Sequence, residues 1–250
     1  MVSSPISGAW RSMSHPETTK RAFDFAVASI ALVLASPVML LLALAIVCES
    51  GRPVFFSQTR LGLGGRPFRM YKFRKFNKSC GASGSPLTLN KDQRLTRVGR
   101  FLLATKMDEL PQFWNVLKGD MSIIGPRPES MAFADCFSGR FERVLDYKPG
   151  ILGPAQAVFR SECMLYPPCV DPAVFYRAVL FPAKAQIDLD YYRRRTLASD
   201  VAWIMKSAFA VLGLSGVWRV NSPQLADCDE AIRCEIETFE RTRTARKYTK

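Results

Sequence analysis

The chain has 250 residues, a formal net charge of +13 and a hydrophobic content of 48%. Its single histidine, His15, stands in a polar N-terminal stretch, which leaves little room for Ser-His, Cys-His or multi-histidine metal chemistry. The seven cysteines lack the close pairing of a zinc site, and an odd count without a secretory signal fits reduced cytosolic thiols. A chain both basic and apolar points to a membrane surface, nucleic acid or phosphate-rich substrates.

Residues 1–19 read as a disordered tail. Residues 25–47 then run without a charge. At ~1.5 Å per helical residue this stretch reaches roughly 34 Å, enough for a ~30 Å hydrocarbon core. It is too long for a typical signal peptide, and no small-residue cleavage site follows before Glu49 and Arg52. Ser36-Pro37 falls at its middle, where proline removes a helical hydrogen bond. Two placements fit, a kinked spanning helix and a hairpin that enters and returns. Both flanks are basic, and positive residues stay cytoplasmic, so the pattern favours an N-terminal re-entrant membrane helix over 20–48, broken at Ser36-Pro37. Ser36 then caps groups freed at the bend. Lys20 and Arg21 serve as membrane anchors, and Asp24 pairs with one of them.

Alternating apolar residues predict two short strands, at 54–56 and 68–74, around a glycine-rich turn at 62–67. Residues 77–90 read as a loop and 95–103 as a short helix. Pro111 near its start and Gly119 at its end predict a helix over 109–118. Residues 129–145 read as one helix between loops rich in proline and glycine. Val201, Ile204, Met205, Ala208 and Leu212 recur at helical spacing, and a helix in the core or at an interface is expected there. Residues 221–250 read as a polar, basic tail.

The segment 105–128 is the richest in chemistry. Asp108 and Glu109 stand together near a helix N-terminus, where the dipole favours an anion. Arg127 follows between two prolines that restrict its backbone, offering a bidentate fork for phosphate. Carboxylate nucleophiles occur in aspartyl-phosphate chemistry. A carboxylate pair facing an arginine is a kit for phosphoryl chemistry.

These residues, with Lys20-Arg21-Ala22-Phe23-Asp24, Gln58-Thr59-Arg60-Leu61-Gly62, Tyr71-Lys72-Phe73-Arg74, Arg94-Leu95-Thr96-Arg97 and Tyr147-Lys148-Pro149-Gly150-Ile151, occur in fixed order. The chain thereby resembles the bacterial sugar transferases, the single-membrane-helix polyprenyl-phosphate phosphoglycosyl transferases, in their minimal form. The resemblance spans about 20–213. It implies transfer of a sugar-1-phosphate from a nucleoside diphosphate sugar, usually a UDP-sugar, to undecaprenyl phosphate, with UMP released. It implies a covalent intermediate on Asp108, assistance from Glu109, and Mg²⁺ held by Asp108 and Glu109. Arg127, Lys72, Arg74, Arg94 and Arg97 are the expected substrate-binding residues. The implied setting is the cytoplasmic face of the bacterial inner membrane, at the first membrane step of exopolysaccharide, capsule or O-antigen assembly, upstream of other glycosyltransferases.

The expected architecture is α+β and mostly helical. A small catalytic domain with a short β-hairpin, 49–220, is attached to the membrane helix. One departure stands out. The family that the chain resembles usually carries a basic pair at the positions of Leu103-Ala104, a loss for which Lys106, a common variant in that family, is expected to substitute in part. The loss leaves open a catalytically weakened member that scaffolds glycan assembly. A nucleic-acid-binding protein explains the charge but not the apolar segment, and no nucleic-acid-binding module is evident.

Overall fold

The computed structural model describes residues 17–78, 87, 92–160, 162–167 and 170–211. The N-terminal helix α1 runs over Glu17–Ser50. Among the described residues it is the one helix long and apolar enough to cross a membrane, by length and composition alone. The structure corrects one expectation here: α1 is not broken at Ser36-Pro37 but passes through Pro37 as continuous helix. Proline at 37 deprives the Val33 carbonyl of its helical donor. The Ser36 hydroxyl supplies one instead, donating to Val33 O at 2.8 Å. Helix α1 also begins before residue 20. The expected tails at 1–16 and 221–250, and most of the 77–90 loop, lie outside the described residues.

The hairpin is longer than expected in its first strand. β1 (Phe55–Leu61) pairs antiparallel with β2 (Pro67–Phe73), Phe55 opposite Phe73 and Leu61 opposite Pro67. α2 (Arg97–Thr105) follows, with the Thr96 hydroxyl accepting from Gly99 N. α3 (Gln112–Lys118) ends on Gly119 in the left-handed region, as expected of that glycine. A second, parallel pair was not foreseen: β3 (Ser122–Ile124) lies beside β4 (Gly150–Leu152). Three-residue strands bounded by glycine and proline carry too little periodicity to read.

The single helix expected over 129–145 is not present. Two 3-10 stretches, Met131–Cys136 and Gly139–Asp146, take its place. Gly139 at φ 58° turns the chain between them, and Phe133 and Val144, one from each stretch, are buried in the core, with Cys136 and Phe141 packed against it. Beyond β4 come α4 (Pro154–Val158), α5 (Pro172–Phe175), one π-helical turn, α6 (Phe181–Tyr192) and α7 (Leu197–Val211).

Both ends of α1 are docked on this domain. Near its start, Ala28 packs among Val116, Met121, Ile123 and Ile151. Near its end, Leu42 and Ile46 pack with Phe73 and Leu102. Ile30, Val33, Leu34, Leu40 and Leu41 between them are exposed. Polar locks fix each end. Asp24, 3% exposed, accepts from the Ser122 hydroxyl at 2.7 Å and from Ile123 N at 3.2 Å. The ion pair expected of Asp24 is present, with Lys20 at 2.7 Å. Glu49 accepts from Arg97 N and Val98 N, capping α2.

Lys20 and Arg21, expected as membrane anchors, are turned toward the protein. Lys20 also reaches Asp200 of α7 at 3.0 Å. Arg21 donates to the carbonyls of Val116 and Leu117, closing the C-terminus of α3. The first turns of α1 lie against α3 and β3, which brings both side chains to these partners.

Candidate active site

Three elements bring charge to one place. Lys72 comes from β2, Asp108 and Glu109 from a 3-10 turn (Met107–Glu109) between α2 and α3, and Arg127 from the loop after β3. Asn115 aligns the first two elements. Its side chain accepts from Tyr71 N at 3.0 Å and donates to Arg69 O at 2.7 Å, stitching α3 to β2 beside Lys72. The Arg127 loop is set by a close backbone approach. A Cβ on Gly125 would stand 2.2 Å from Lys148 O, so only glycine lets β3 reach β4 there.

Glu109 is clamped. Its Oε1 lies 2.6 Å from Lys72 Nζ and 3.4 Å from Arg127 Nη2. Burial alone would push this carboxyl up, but Lys72 and Arg127 outweigh it and hold the group well below the usual carboxylate range. The reciprocal effect is seen at Arg127, where burial would lower the guanidinium but Glu109, Glu162 and Glu129 raise it.

Asp108 is 2% exposed. Its Oδ2 faces Lys75 Nζ at 3.7 Å, and its Oδ1 is buried with no hydrogen-bond partner. Burial pulls Lys75 down to about 8 despite Asp108 beside it. Lys106 is also lowered, by burial first and then by Arg127. Four cations, Lys72, Lys75, Lys106 and Arg127, thus surround two carboxylates. The imbalance suits an anionic ligand. Buried carboxylates are costly unless compensated, and an unpaired carboxylate oxygen in a cationic pocket is a potential nucleophile or metal ligand.

The other expected binding residues are placed differently. The Arg74 guanidinium is spent on the backbone at the end of α1, donating to Pro53 O, Ser50 Oγ and Gly51 O. It is buried there, which corrects its expected place at the substrate. Arg94 pairs with Asp92 at 2.6 Å and lies over the Phe76 ring. Arg97 is exposed in the first turn of α2. Leu103 is half-buried and Ala104 exposed on the same helix.

Sequence reading missed Lys75. It lies in the same basic run as Lys72, but the chain leaves the strand after Phe73, so alternation does not carry to it. The buried support behind Arg127 was missed as well. Lys184 of α6 reaches Glu129 at 3.4 Å, Glu162 at 3.2 Å and the Tyr176 hydroxyl at 3.0 Å. Arg60 donates to Pro128 O. Nothing in local spacing links positions so far apart in the chain.

An acidic pair ringed by cations, on a chain whose N-terminal helix is long and apolar enough to cross a membrane, is a site suited to an anionic ligand. The chain belongs to the bacterial sugar transferase family, whose model matches residues 15–214. It is 46% identical over 146 residues to a UDP-N-acetylgalactosamine-undecaprenyl-phosphate N-acetylgalactosaminephosphotransferase of Aeromonas hydrophila, covering 56% of this chain and 34% of that protein. It is 46% identical over 142 residues to a UDP-glucose:undecaprenyl-phosphate glucose-1-phosphate transferase of Caulobacter vibrioides, covering 55% of this chain and 52% of that protein. An uncharacterized sugar transferase of Bacillus subtilis, EpsL, is 43% identical over 203 residues, covering 81% of this chain and 91% of the relative. The chain therefore spans about a third of the first relative and about half of the second.

Proposed function

We propose that this protein is a polyprenyl-phosphate phosphoglycosyl transferase, moving a sugar-1-phosphate from a UDP-sugar to undecaprenyl phosphate and releasing UMP. The observation that carries the reading is the unequal state of the two acids. Glu109 is locked between Lys72 and Arg127, whereas one oxygen of Asp108 has no partner. The names of the relatives supply the substrate classes.

In the proposed reaction a carboxylate oxygen of Asp108 attacks the sugar-linked phosphorus. The bond from that phosphorus to the bridging oxygen breaks, and UMP leaves with the oxygen. The phosphate oxygen of undecaprenyl phosphate then attacks the same phosphorus. The aspartyl ester bond breaks, the carboxylate is restored and the lipid carries the phosphosugar. Arg127 and Lys72 neutralise the charge that builds on the phosphoryl oxygens, and Glu109 holds both in place. The unpartnered Asp108 oxygen fits Mg²⁺, which favours hard oxygen ligands and is commonly bound by one or two carboxylates together with substrate phosphates. Asp108, with Glu109 beside it, would hold the ion, which supplies further neutralisation of the diphosphate.

The membrane placement is part of the proposal. Docking of both ends of α1 on one domain, with Pro37 between them as the place to bend, supports a helix that enters the inner membrane and returns, with the catalytic domain on the cytoplasmic face. The product is then delivered to downstream glycosyltransferases for exopolysaccharide, capsule or O-antigen assembly.

The test offers a panel of UDP-sugars, including UDP-glucose and UDP-N-acetylgalactosamine, to detergent-solubilised protein with undecaprenyl phosphate and Mg²⁺. UMP release is expected with at least one donor. Silence across the whole panel overturns the reading.

A further inference from the structure

The backbone on both sides of Arg127 is tied down. Pro126 O accepts from Gly150 N at 2.8 Å, and Pro128 O accepts from Arg60 Nη1 at 3.3 Å. Glu129 O accepts from Leu61 N at 3.0 Å, and Ser130 forms an antiparallel bridge to Arg60 of β1. With its loop fixed in this way, the direction of the Arg127 guanidinium is left to the carboxylates around it.

Three carboxylates are in reach of that choice. Glu109 Oε1 holds the guanidinium at 3.4 Å. Glu129 follows Arg127 by two positions, and Glu162 is joined to Glu129 through one ammonium. Lys184 Nζ lies 3.4 Å from Glu129 Oε1 and 3.2 Å from Glu162 Oε2. Burial would lower the Arg127 guanidinium, but Glu109, then Glu162 and Glu129, raise it. Lys184 is itself buried on α6 and donates to the hydroxyl of buried Tyr176 at 3.0 Å. Tyr166 donates to the other oxygen of Glu162 at 2.6 Å. Burying one ammonium with two carboxylates costs desolvation on three groups, and apolar side chains of similar volume would often be as stable. A role in directing Arg127 accounts for the cluster where stability does not.

We infer that Lys184 is a positioning residue for Arg127: by engaging Glu129 and Glu162, it keeps both from drawing the guanidinium away from Glu109 and the substrate phosphates. The assignment rests on the transferase reading above. Lys184 touches no substrate and acts through Arg127, which neutralises charge as the phosphoryl group transfers, so its loss is read in kcat.

The experiment measures UMP release by Lys184→Met and Tyr176→Phe, each alone and combined with Arg127→Lys, beside the unaltered protein. Methionine keeps an unbranched apolar stem and removes the charge. Phenylalanine removes only the hydroxyl that helps to hold Lys184. Lys184→Met is expected to lower kcat about tenfold or more. Tyr176→Phe is expected to lower it about two- to fivefold, the scale of one hydrogen bond. In the Arg127→Lys background both are expected to cost much less than they do alone. Adding Glu162→Gln to Lys184→Met takes away one competing carboxylate and is expected to recover part of kcat. A lysine that serves only the fold lowers the thermal unfolding midpoint and leaves kcat of the folded protein unchanged. Unchanged kcat in folded Lys184→Met, losses that add fully to that of Arg127→Lys, or no recovery with Glu162→Gln overturns the inference. Where Lys184→Met does not fold, Tyr176→Phe carries the same cycle, and unchanged kcat there overturns it. Failure of the transferase reading itself is distinct, since the unaltered protein would then release no UMP.

Discussion

Lys72 Nζ and Arg127 Nη2 converge on a single oxygen of Glu109, at 2.6 and 3.4 Å, from a strand and a loop 55 positions apart. The neighbouring acid, Asp108, keeps one oxygen without any partner. Two adjacent carboxylates of the same chemical type are thereby given different work by their surroundings, one held and one available.

The first prediction follows from that difference. Asp108→Asn removes the proposed nucleophile but keeps its shape, so UMP release is expected to fall by about 10³-fold or more. Full activity in this variant refutes the assignment.

The clamp on Glu109 predicts coupling. Lys72→Met leaves a buried carboxylate facing Arg127 alone, and the loss in kcat/KM is expected to be on the order of tenfold to a hundredfold. Glu109→Gln in the same background is expected to add much less than it does alone, because the two groups act as a unit. A double-mutant cycle with strictly additive losses would break the argument.

Asp188 predicts a pH effect on stability away from the site. Burial pushes its carboxyl up to about 8, with only an amide from Ala155 and the charge of Lys184 opposing. The folded protein therefore holds a proton here that the unfolded chain releases near its ordinary value of 3.8. Stability from this group is complete below about 4 and is lost as pH rises through about 8. Asp188→Asn is expected to flatten that dependence and to raise the unfolding midpoint at pH 8, by an amount worth at most a few kcal/mol. The opposite sign, or an unaltered profile, rules it out.

Asp24 predicts how α1 is held. Asp24→Ala strands the Ile123 amide and leaves Lys20 with Asp200 as its remaining ion-pair partner. A stability loss of about 2–4 kcal/mol is expected, from an unsatisfied buried donor and a broken ion pair. Limited proteolysis in detergent would report it as early cleavage. Protection equal to the unaltered protein would remove the lock.

Topology is tested by a reporter fused ahead of α1 together with one after α7. Both are expected to report the cytoplasm. A periplasmic signal from the first alone would turn α1 into a spanning helix. Pro37→Ala is the companion variant, since it restores the Val33 hydrogen bond and favours a straighter helix.

Much of this was legible in one dimension. The uncharged stretch, the Pro111 and Gly119 signals around α3, the glycine-rich hairpin turn and the adjacency of Asp108 and Glu109 are local, and local steric and hydrogen-bonding rules act on them directly. Even Ser36 could be read as the cap for what Pro37 leaves open. The 3-10 stretches were misread because burial of Phe133 and Val144, not helix propensity, decides their backbone.

What the sequence determined by itself was the family, the presence of one long apolar helix and the adjacency of Asp108 and Glu109. The tertiary structure decided what each charge is for. Arg74 and Arg21 look as ready for phosphate or lipid as Lys72 does, yet they are spent on backbone carbonyls. Lys75, Lys106 and Lys184 gain their surroundings only when β2, α2 and α6 are folded around the acidic turn. Charge is written in the sequence, but the effect of a charge depends on desolvation and on partners a few ångströms away, and those are set by packing between distant segments.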